Sequence, residues 1–249
     1  MRLAIISDIH GNVPALEAAL ADIERHGTDR LVCLGDVASF GPQPREALER
    51  LRSLRRPIVM GIVLGNTDDS LLEPRTLESV ENPTEDSPRF IDVESWCAGQ
   101  LDDEDREFVR SFQATLSLEL DGATLLCFHG SPRSYHHLIT ATTPDETLAD
   151  FFSGQSATLM AGGHSHAQLL RRFRETTFVN PGSVGLPFEH SPDGKRVRNP
   201  PWAEYALLTH EDARLNVEFK RAPYDTRPVL EAALASGMPH VDWWVQGWR

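Results

Sequence analysis

Residues 2–25 read RLAIISDIHGNVPALEAALADIER, and the fold follows from this stretch. RLAIISD (2–8) is a short apolar run rich in isoleucine that ends in a polar cluster, the pattern of a buried strand. NVPALEAALADIER (12–25) then changes period. Asn12 can cap a helix, Pro14 fits its first turn, and Leu16, Leu20 and Ile23 recur at helical spacing. The unit repeats downstream. RLVCLGD (30–36) reads as a strand, PREALERLRSL (44–54) as a helix and RPIVMGIVLGN (56–66) as a third strand. This β-α-β-α-β rhythm predicts a parallel sheet with right-handed crossovers.

Farther out the character changes. EPRTLESVENPTEDSPRF (73–90) is acidic, Pro-bearing and without clear period, so residues 73–92 read as an excursion from the fold that can cover the site as a lid. ESWCAGQL (94–101) and DDEDREFVRSF (102–112) look like two short helices, with Asp102 or Asp103 as a cap. TLSLEL (115–120), an Asp121-Gly122 turn and ATLLCFH (123–129) carry a hairpin signature. PDETLADFF (144–152) reads as a helix, and ATLMAGGH, AQLLRRFR and TTFVNPG as three strands. AEYALLTH and RLNVEFKR form a second hairpin, and HSPDGKRVRNPP (190–201) reads as a loop. Two sheets packed face to face, with helices outside, fit both halves. The end, HVDWWVQGWR (240–249), holds three of the five tryptophans; it reads as a tail docked on the core, with a dimer contact as the second choice and a ligand platform as the third.

Composition bounds the function. The chain has 249 residues, enough for one sizeable α/β core, and residues 1–249 read as a single domain. A net charge of −13 argues against a surface that coats nucleic acid. It leaves a phosphate ligand open, because a metal site brings its own positive charge. No run reaches the ~18 apolar residues of a membrane span. The start runs directly into a polar motif rather than a signal peptide, so the expected compartment is the cytoplasm. Cys33, Cys97 and Cys127 form no CxxC pair and read as reduced core residues.

Ligand-type side chains recur where apolar runs stop beside glycine. SDIHGN gives Asp8 and His10, LGDV gives Asp36, LGNTD gives Asn66, CFHGS gives His129, and GGHSH gives His164 and His166. In a parallel α/β sheet such strand ends gather along one edge. On extended chain, residues two apart point the same way, which pairs Asp8 with His10 and His164 with His166. Seven such residues in one place are too many for one ion; they suit two divalent ions sharing a carboxylate. Imidazole, carboxylate and amide donors fit Mn²⁺, Fe²⁺, Ni²⁺ or Zn²⁺.

The series DxH, GD, GN, H and GHxH, from about residue 3 to about residue 185, resembles the calcineurin-like metallophosphoesterase superfamily. GDVASFGPQP, HGSP and VNPGSVG resemble its compact bacterial and archaeal phosphodiesterase branch. The resemblance implies an αββα four-layer sandwich of two mixed sheets. It implies one ion held by Asp8, His10, Asp36 and His166, and a second held by Asp36, Asn66, His129 and His164, with Asp36 bridging. Asp36, His10 and His129 become the candidate catalytic residues. The implied reaction is hydrolysis of a phosphate ester of a small molecule, mono- or diester, by a hydroxide bridging the ions. Four positive charges from two ions, less three from Asp8, Asp36 and that hydroxide, leave a site that attracts anions.

Two departures matter. Much of that superfamily reads GNHD or GNHE, with a His that helps protonate the leaving group; here LGNTDD places Thr67 there. His10, His136 and His137 are the remaining candidates for that proton. PIVMGIVLGN is a long apolar approach to Gly65, which predicts a shifted strand register. Asn12 can orient a phosphate or cap its helix, and Arg133 can bind a phosphate oxygen or stay solvated. Phe40 can wall the pocket or pack inward, with packing preferred, and Asn180 and Ser183 are expected to support the HxH turn. Two rival functions are a non-catalytic metal-binding interaction module on the same fold, and a zinc hydrolase of the metallo-β-lactamase kind. The latter expects HxHxDH, whereas AQLL follows His166.

Overall fold

In the computed structural model, which describes residues 2–28, 30–54, 59–80, 83–191, 197–212 and 214–248, the opening strand β1 (Arg2–Ile6) lies at the centre of a five-stranded sheet. It leads into helix α1 (Val13–Arg25), whose first turn carries Pro14 and whose cap is Asn12: Oδ1 accepts from the Ala15 amide at 3.1 Å. β2 (Arg30–Cys33) pairs parallel to β1 and leads to α2 (Pro44–Ser53). β3 (Val59–Ile62) pairs parallel to β2, and the expected irregularity is there. Leu31 faces Val59 but Val32 faces Gly61, so Met60 is an extra residue. Residues 56–58 of the predicted strand lie outside the described residues. α3 (Asn66–Leu72) follows at once.

The excursion differs from expectation. A short 3-10 turn (Leu77–Ser79) precedes α4 (Ser87–Gln100), which starts two turns before the predicted helix. Its buried stripe is Val93, Glu94, Cys97 and Ala98. A carboxylate in that stripe, and Phe90 left 39% exposed, hide the apolar period from the sequence. α5 (Asp103–Arg110) is capped by Asp102, which accepts from the Asp105 amide at 3.0 Å.

The second sheet is built from β4 (Leu116–Leu120), β5 (Ala123–Cys127), β6 (Leu159–Ala161), β7 (Gln168–Phe173) and β8 (Thr176–Pro181), in the order β4-β5-β6-β8-β7. β5, β6 and β8 run parallel; the flanking pairs are antiparallel. α6 (Asp145–Phe151) precedes β6. The predicted loop at 190–201 contributes a two-residue pair, β9 (Glu189–His190) with β10 (Val197–Arg198); residues 192–196 lie outside the described residues. The final hairpin, β11 (Trp202–Glu211) and β12 (Arg214–Pro223), returns to the first sheet against β1, giving β12-β11-β1-β2-β3. α7 (Arg227–Ser236) and α8 (Val241–Trp244) end the chain.

Strand alternation produces four layers. Leu3, Ile5, Val32 and Leu34 meet Leu125, Cys127, Leu159 and Val179 between the sheets. Their neighbours Ala4, Ile6 and Cys33 face the other way, against α1 and α2. Leu126, Phe128, Met160 and Phe178 likewise face Leu148 and Phe152 on the α6 side. Both faces of the central strands are buried, which is why they read as continuous apolar runs.

Candidate metal centre

The side chains singled out from the sequence come together beyond the C-terminal ends of the parallel strands. Asp8 and His10 follow β1, Asp36 follows β2, Asn66 follows β3, His129 follows β5, and His164 and His166 follow β6. Asn66 opens α3, and the others sit on loops rather than on extended chain. Asp8 (φ 56°), His10 (48°), Asp36 (54°), His164 (65°) and His166 (54°) all adopt the left-handed backbone region. Pairing of residues two apart is therefore correct in outcome, but for a different reason: each loop is wound tightly enough to aim both side chains inward. Such conformations are uncommon for residues with a Cβ, and they concentrate at functional sites.

Two glycines permit the approach. A Cβ on Gly65 would lie 2.0 Å from Asp36 Oδ1, and one on Gly163 would lie 2.8 Å from Asp8 Oδ2.

The ligand atoms form two groups. Those of Asp8, His10 and His166 lie within 4.8 Å of one another, as do those of Asp36, His129 and His164. Asp36 stands between the groups, with Oδ2 at 3.8 Å from His10 Nε2 and 3.4 Å from His129 Nε2. Asn66 Oδ1 lies 3.0 Å from His129 Nε2.

The imidazoles are fixed by the backbone. Nδ1 of His10, His129 and His166 lies 2.9, 2.8 and 2.7 Å from the carbonyls of Ser39, Leu34 and Leu186. A proton on Nδ1 satisfies each carbonyl and turns the lone pair of Nε2 to the centre, the tautomer that ligates a metal. His10 Nε2 and His166 Nε2 are only 3.1 Å apart, and Asp8 Oδ1 is buried with no hydrogen-bond partner among the described residues. Converging lone pairs and an unsatisfied carboxylate oxygen fit divalent cations.

Electrostatics shows how the protein holds this cluster when no cation balances it. Burial would raise the carboxyls of Asp8 and Asp36, but His166 beside Asp8 and His129 beside Asp36 outweigh it and keep both well below the usual range. Burial would lower His129, yet Asp36 pushes it up to about 10, and Asp8 raises His166 in the same way. Burial and His166 lower His10; burial and His129 push His164 down to about 4. His129 thus keeps a proton where an ion's charge belongs.

Several residues that the sequence did not reveal support the ligands. Asp68 is fully buried and accepts from the amides of Asp36 (2.7 Å), Val37 (2.8 Å) and Gly65 (3.1 Å). The available signal was an acid at the third position of α3, where it closes on the residue before the helix. Burial and Asp36 push its carboxyl up to about 7. Asn180 and Ser183 take the supporting places expected of them. Asn180 Nδ2 donates to the Gly163 carbonyl at 2.6 Å, and Ser183 Oγ donates to the Asp8 carbonyl at 2.7 Å.

The two candidate substrate contacts have other partners. Asn12 is fully buried; besides capping α1, its Nδ2 donates to the Gly185 carbonyl and the Tyr224 hydroxyl, both at 2.9 Å, so no donor is left for a phosphate. Arg133 is committed to Asp150 at 2.5 Å and does not line the cleft beside the ligands. That cleft, about 1030 Å³, instead receives Arg75 and Arg198. Arg75 is held at 3.0 Å by Glu94, the carboxylate inside the α4 stripe. His137 is also occupied, with Nδ1 2.8 Å from Ser131 Oγ and its ring stacked on Phe151. Thr67 lines the cleft; its amide donates to Asp36 Oδ1 at 2.9 Å, and its buried hydroxyl has no partner among the described residues. Phe40 lines the cleft as well as packing inward.

A two-sheet α/β sandwich with imidazoles and carboxylates gathered at its strand ends defines the class: metal-dependent phosphoric ester hydrolases. The chain belongs to the calcineurin-like phosphoesterase superfamily, whose domain model matches residues 1–213. Among curated proteins it is 25% identical to an uncharacterized protein of Methanocaldococcus jannaschii, MJ0912, over 95% of this chain and 93% of that protein. Phosphodiesterase YfcE of Escherichia coli K12 is 35% identical over a shorter stretch, 28% of this chain and 42% of YfcE. Among solved structures, a metallophosphoesterase from Sphaerobacter thermophilus superposes with a TM-score of 0.73 at 28% identity, covering 99% of both chains. A hypothetical protein from Pyrococcus horikoshii shares the fold with a TM-score of 0.79 at 21% identity, covering 96% of this chain and 94% of its own. No helix among the described residues is long and apolar enough to cross a membrane.

Proposed function

We propose that the protein is a dinuclear-metal phosphoesterase that hydrolyses mono- or diesters of small phosphorylated molecules in the cytoplasm. The observation that carries this reading is the position of Asp36, within 4 Å of imidazole nitrogens from both ligand groups. A carboxylate so placed has one free edge for two cations, since its other oxygen is taken by the Thr67 amide. Asp8, His10 and His166 would hold one ion with Asp36, and Asn66, His129 and His164 the other. Three imidazoles fixed by backbone carbonyls favour Mn²⁺, Fe²⁺, Ni²⁺ or Zn²⁺ over Mg²⁺.

Two divalent ions bound there supply Lewis acidity to the phosphoryl oxygens and lower the pKa of water. The chain supplies the rest. Asp36, His10 and His129 fix the geometry in which an ester oxygen and its attacking water are held. Arg75, anchored by Glu94, offers charged donors to the phosphate from the cleft wall. Thr67 has no titrating proton to give, so the reading favours esters with good leaving groups. Three free, buried cysteines agree with a reducing compartment.

The test is turnover of p-nitrophenyl phosphate and bis-p-nitrophenyl phosphate with each of the four metals, paired with elemental analysis. The expected result is metal-dependent turnover that a chelator abolishes. Inactivity on both esters with ions demonstrably bound would replace this reading with the non-catalytic interaction module.

A further inference from the structure

We infer that the cleft beside the metal centre carries a subsite for a planar aromatic group attached to the phosphate, the class to which nucleosides belong; this rests on the phosphoesterase reading above. The subsite is built from three separate segments. Phe40 comes from the loop after β2, Phe90 from α4 and Trp243 from α8, and all three line the cleft. Phe40 and Phe90 stack at 4.8 Å between centroids, 23° apart. Trp243 stands edge-on to both, at 6.0 Å and 5.3 Å.

The wall begins where the ligand set ends. The ring of Phe40 meets the ring of His10 edge-on at 6.4 Å. On the neighbouring ligand, Phe188 lies against His166 at 4.9 Å. A phosphate held by the two ligand groups would therefore have aromatic surface next to whatever it carries.

Docking of the C-terminal tail accounts for this wall only in part, since Phe40 and Trp243 also pack against the core. Trp244 already docks the tail: it is 5% exposed, and its Nε1 donates to the Phe40 carbonyl at 3.0 Å. Phe90, by contrast, keeps 39% of its surface exposed beside a charged centre. Phe40 holds the left-handed backbone region (φ 69°), a genuine outlier for a bulky residue. Strain at that point places its ring between His10 and Phe90. The cleft, about 1030 Å³, is the size of pockets that take drug-sized ligands rather than a lone phosphate. Trp243 also lies beyond residue 213, where the match to the family model stops.

Aromatic faces bind planar rings by offset stacking and edge contacts that an aliphatic group of equal size does not reproduce. Stacking of a base on a protein aromatic is commonly worth about tenfold or more in affinity.

Phosphonates test the subsite without being hydrolysed. Calorimetric titration of the metal-loaded protein would compare methyl-, cyclohexyl- and phenylphosphonate with the phosphonate analogue of a nucleoside 5′-monophosphate. Phenylphosphonate should bind about tenfold tighter than methylphosphonate and clearly tighter than cyclohexylphosphonate. Phe90→Ala should shrink that advantage, and Phe90→Tyr should preserve it. Trp243→Leu is the second variant should Phe90→Ala fold poorly. The nucleoside analogue separates a nucleotide substrate from a simple aryl ester: tighter binding than phenylphosphonate assigns the former. Equal affinity for the methyl and phenyl compounds, or for phenyl and cyclohexyl, would overturn the inference. Phosphonate binding without turnover of any ester would instead sink the phosphoesterase reading and leave the subsite standing.

Discussion

Asp68 organises more of the metal centre than any residue that contacts it from outside the ligand set. Its two oxygens take three amide protons, and two of those amides belong to Asp36 and to Gly65, whose missing Cβ makes room for Asp36. Asp68→Asn keeps the shape but replaces one acceptor by a donor that faces an amide. The expected loss is about 1–3 kcal/mol of stability and roughly 10- to 100-fold in ion affinity, read by urea unfolding and by competition with a coloured chelator. A variant with unchanged ion affinity would show that the Asp36 loop holds itself. Protons give a second prediction at this scale. His129, at about 10, keeps its second ring proton in the ion-free protein, and Asp8 shifts His166 in the same direction. Loading ions at neutral pH should then release at least one proton, measured by calorimetry in buffers of different ionisation enthalpy. The sign for stability follows. His129 sits above its unfolded value of ~6.5, so its contribution is complete below that pH and is lost as pH rises toward about 10. Melting temperatures of the chelated protein should fall over that window, and those of the loaded protein should fall less; parallel curves would contradict the assignment. All seven proposed ligands were legible in sequence because they lie in short polar, mostly glycine-bearing segments where apolar runs stop. Asp68, Glu94 and Arg75 were not, since their meaning comes from partners that only the fold supplies. Arg133 misled for the same reason: Asp150 on α6 claims it.

Elements were legible where their period was clean. The β-α-β-α-β start, both hairpins and the extra residue at Met60 follow from apolar runs and from the length of the approach to Gly65. The first two turns of α4 were not, because Glu94 interrupts its buried stripe and Phe90 faces the cleft. What reads as an acidic excursion is a wall of the site, and the tryptophan tail closes the same cleft from another side. The tail is held chiefly by Trp244, Val245 and the contact with Phe40. Trp244→Ala should cost about 3–5 kcal/mol in urea unfolding monitored by far-UV circular dichroism. A loss below about 1 kcal/mol would mean that the tail is not part of the cooperative core.

At the scale of the molecule, the sandwich separates stability from chemistry. The inter-sheet layer of Leu3, Ile5, Val32, Leu34 and their partners is built without the ligands, which stand on loops beyond the strands. Removing ions should therefore lower the melting temperature while leaving the far-UV spectrum in place. Ions at a hundred times their dissociation constant add about 2.7 kcal/mol per site. Collapse of the spectrum on chelation would mean that the ions, rather than the layered core, hold the sheets together. An overall charge of −13 disfavours anionic polymers as partners, and on the proposed function a small ester would meet positive charge only at the ion-loaded centre.

The claim on which the account rests is that two cations sit side by side with Asp36 between them. Anomalous diffraction at the manganese edge, from crystals of the Mn²⁺-loaded protein, tests it most directly. The account predicts two peaks about 3.5–4 Å apart, one among Asp8, His10 and His166 and one among Asn66, His129 and His164, with Asp36 touching both. A single peak, or peaks that Asp36 does not bridge, would contradict it.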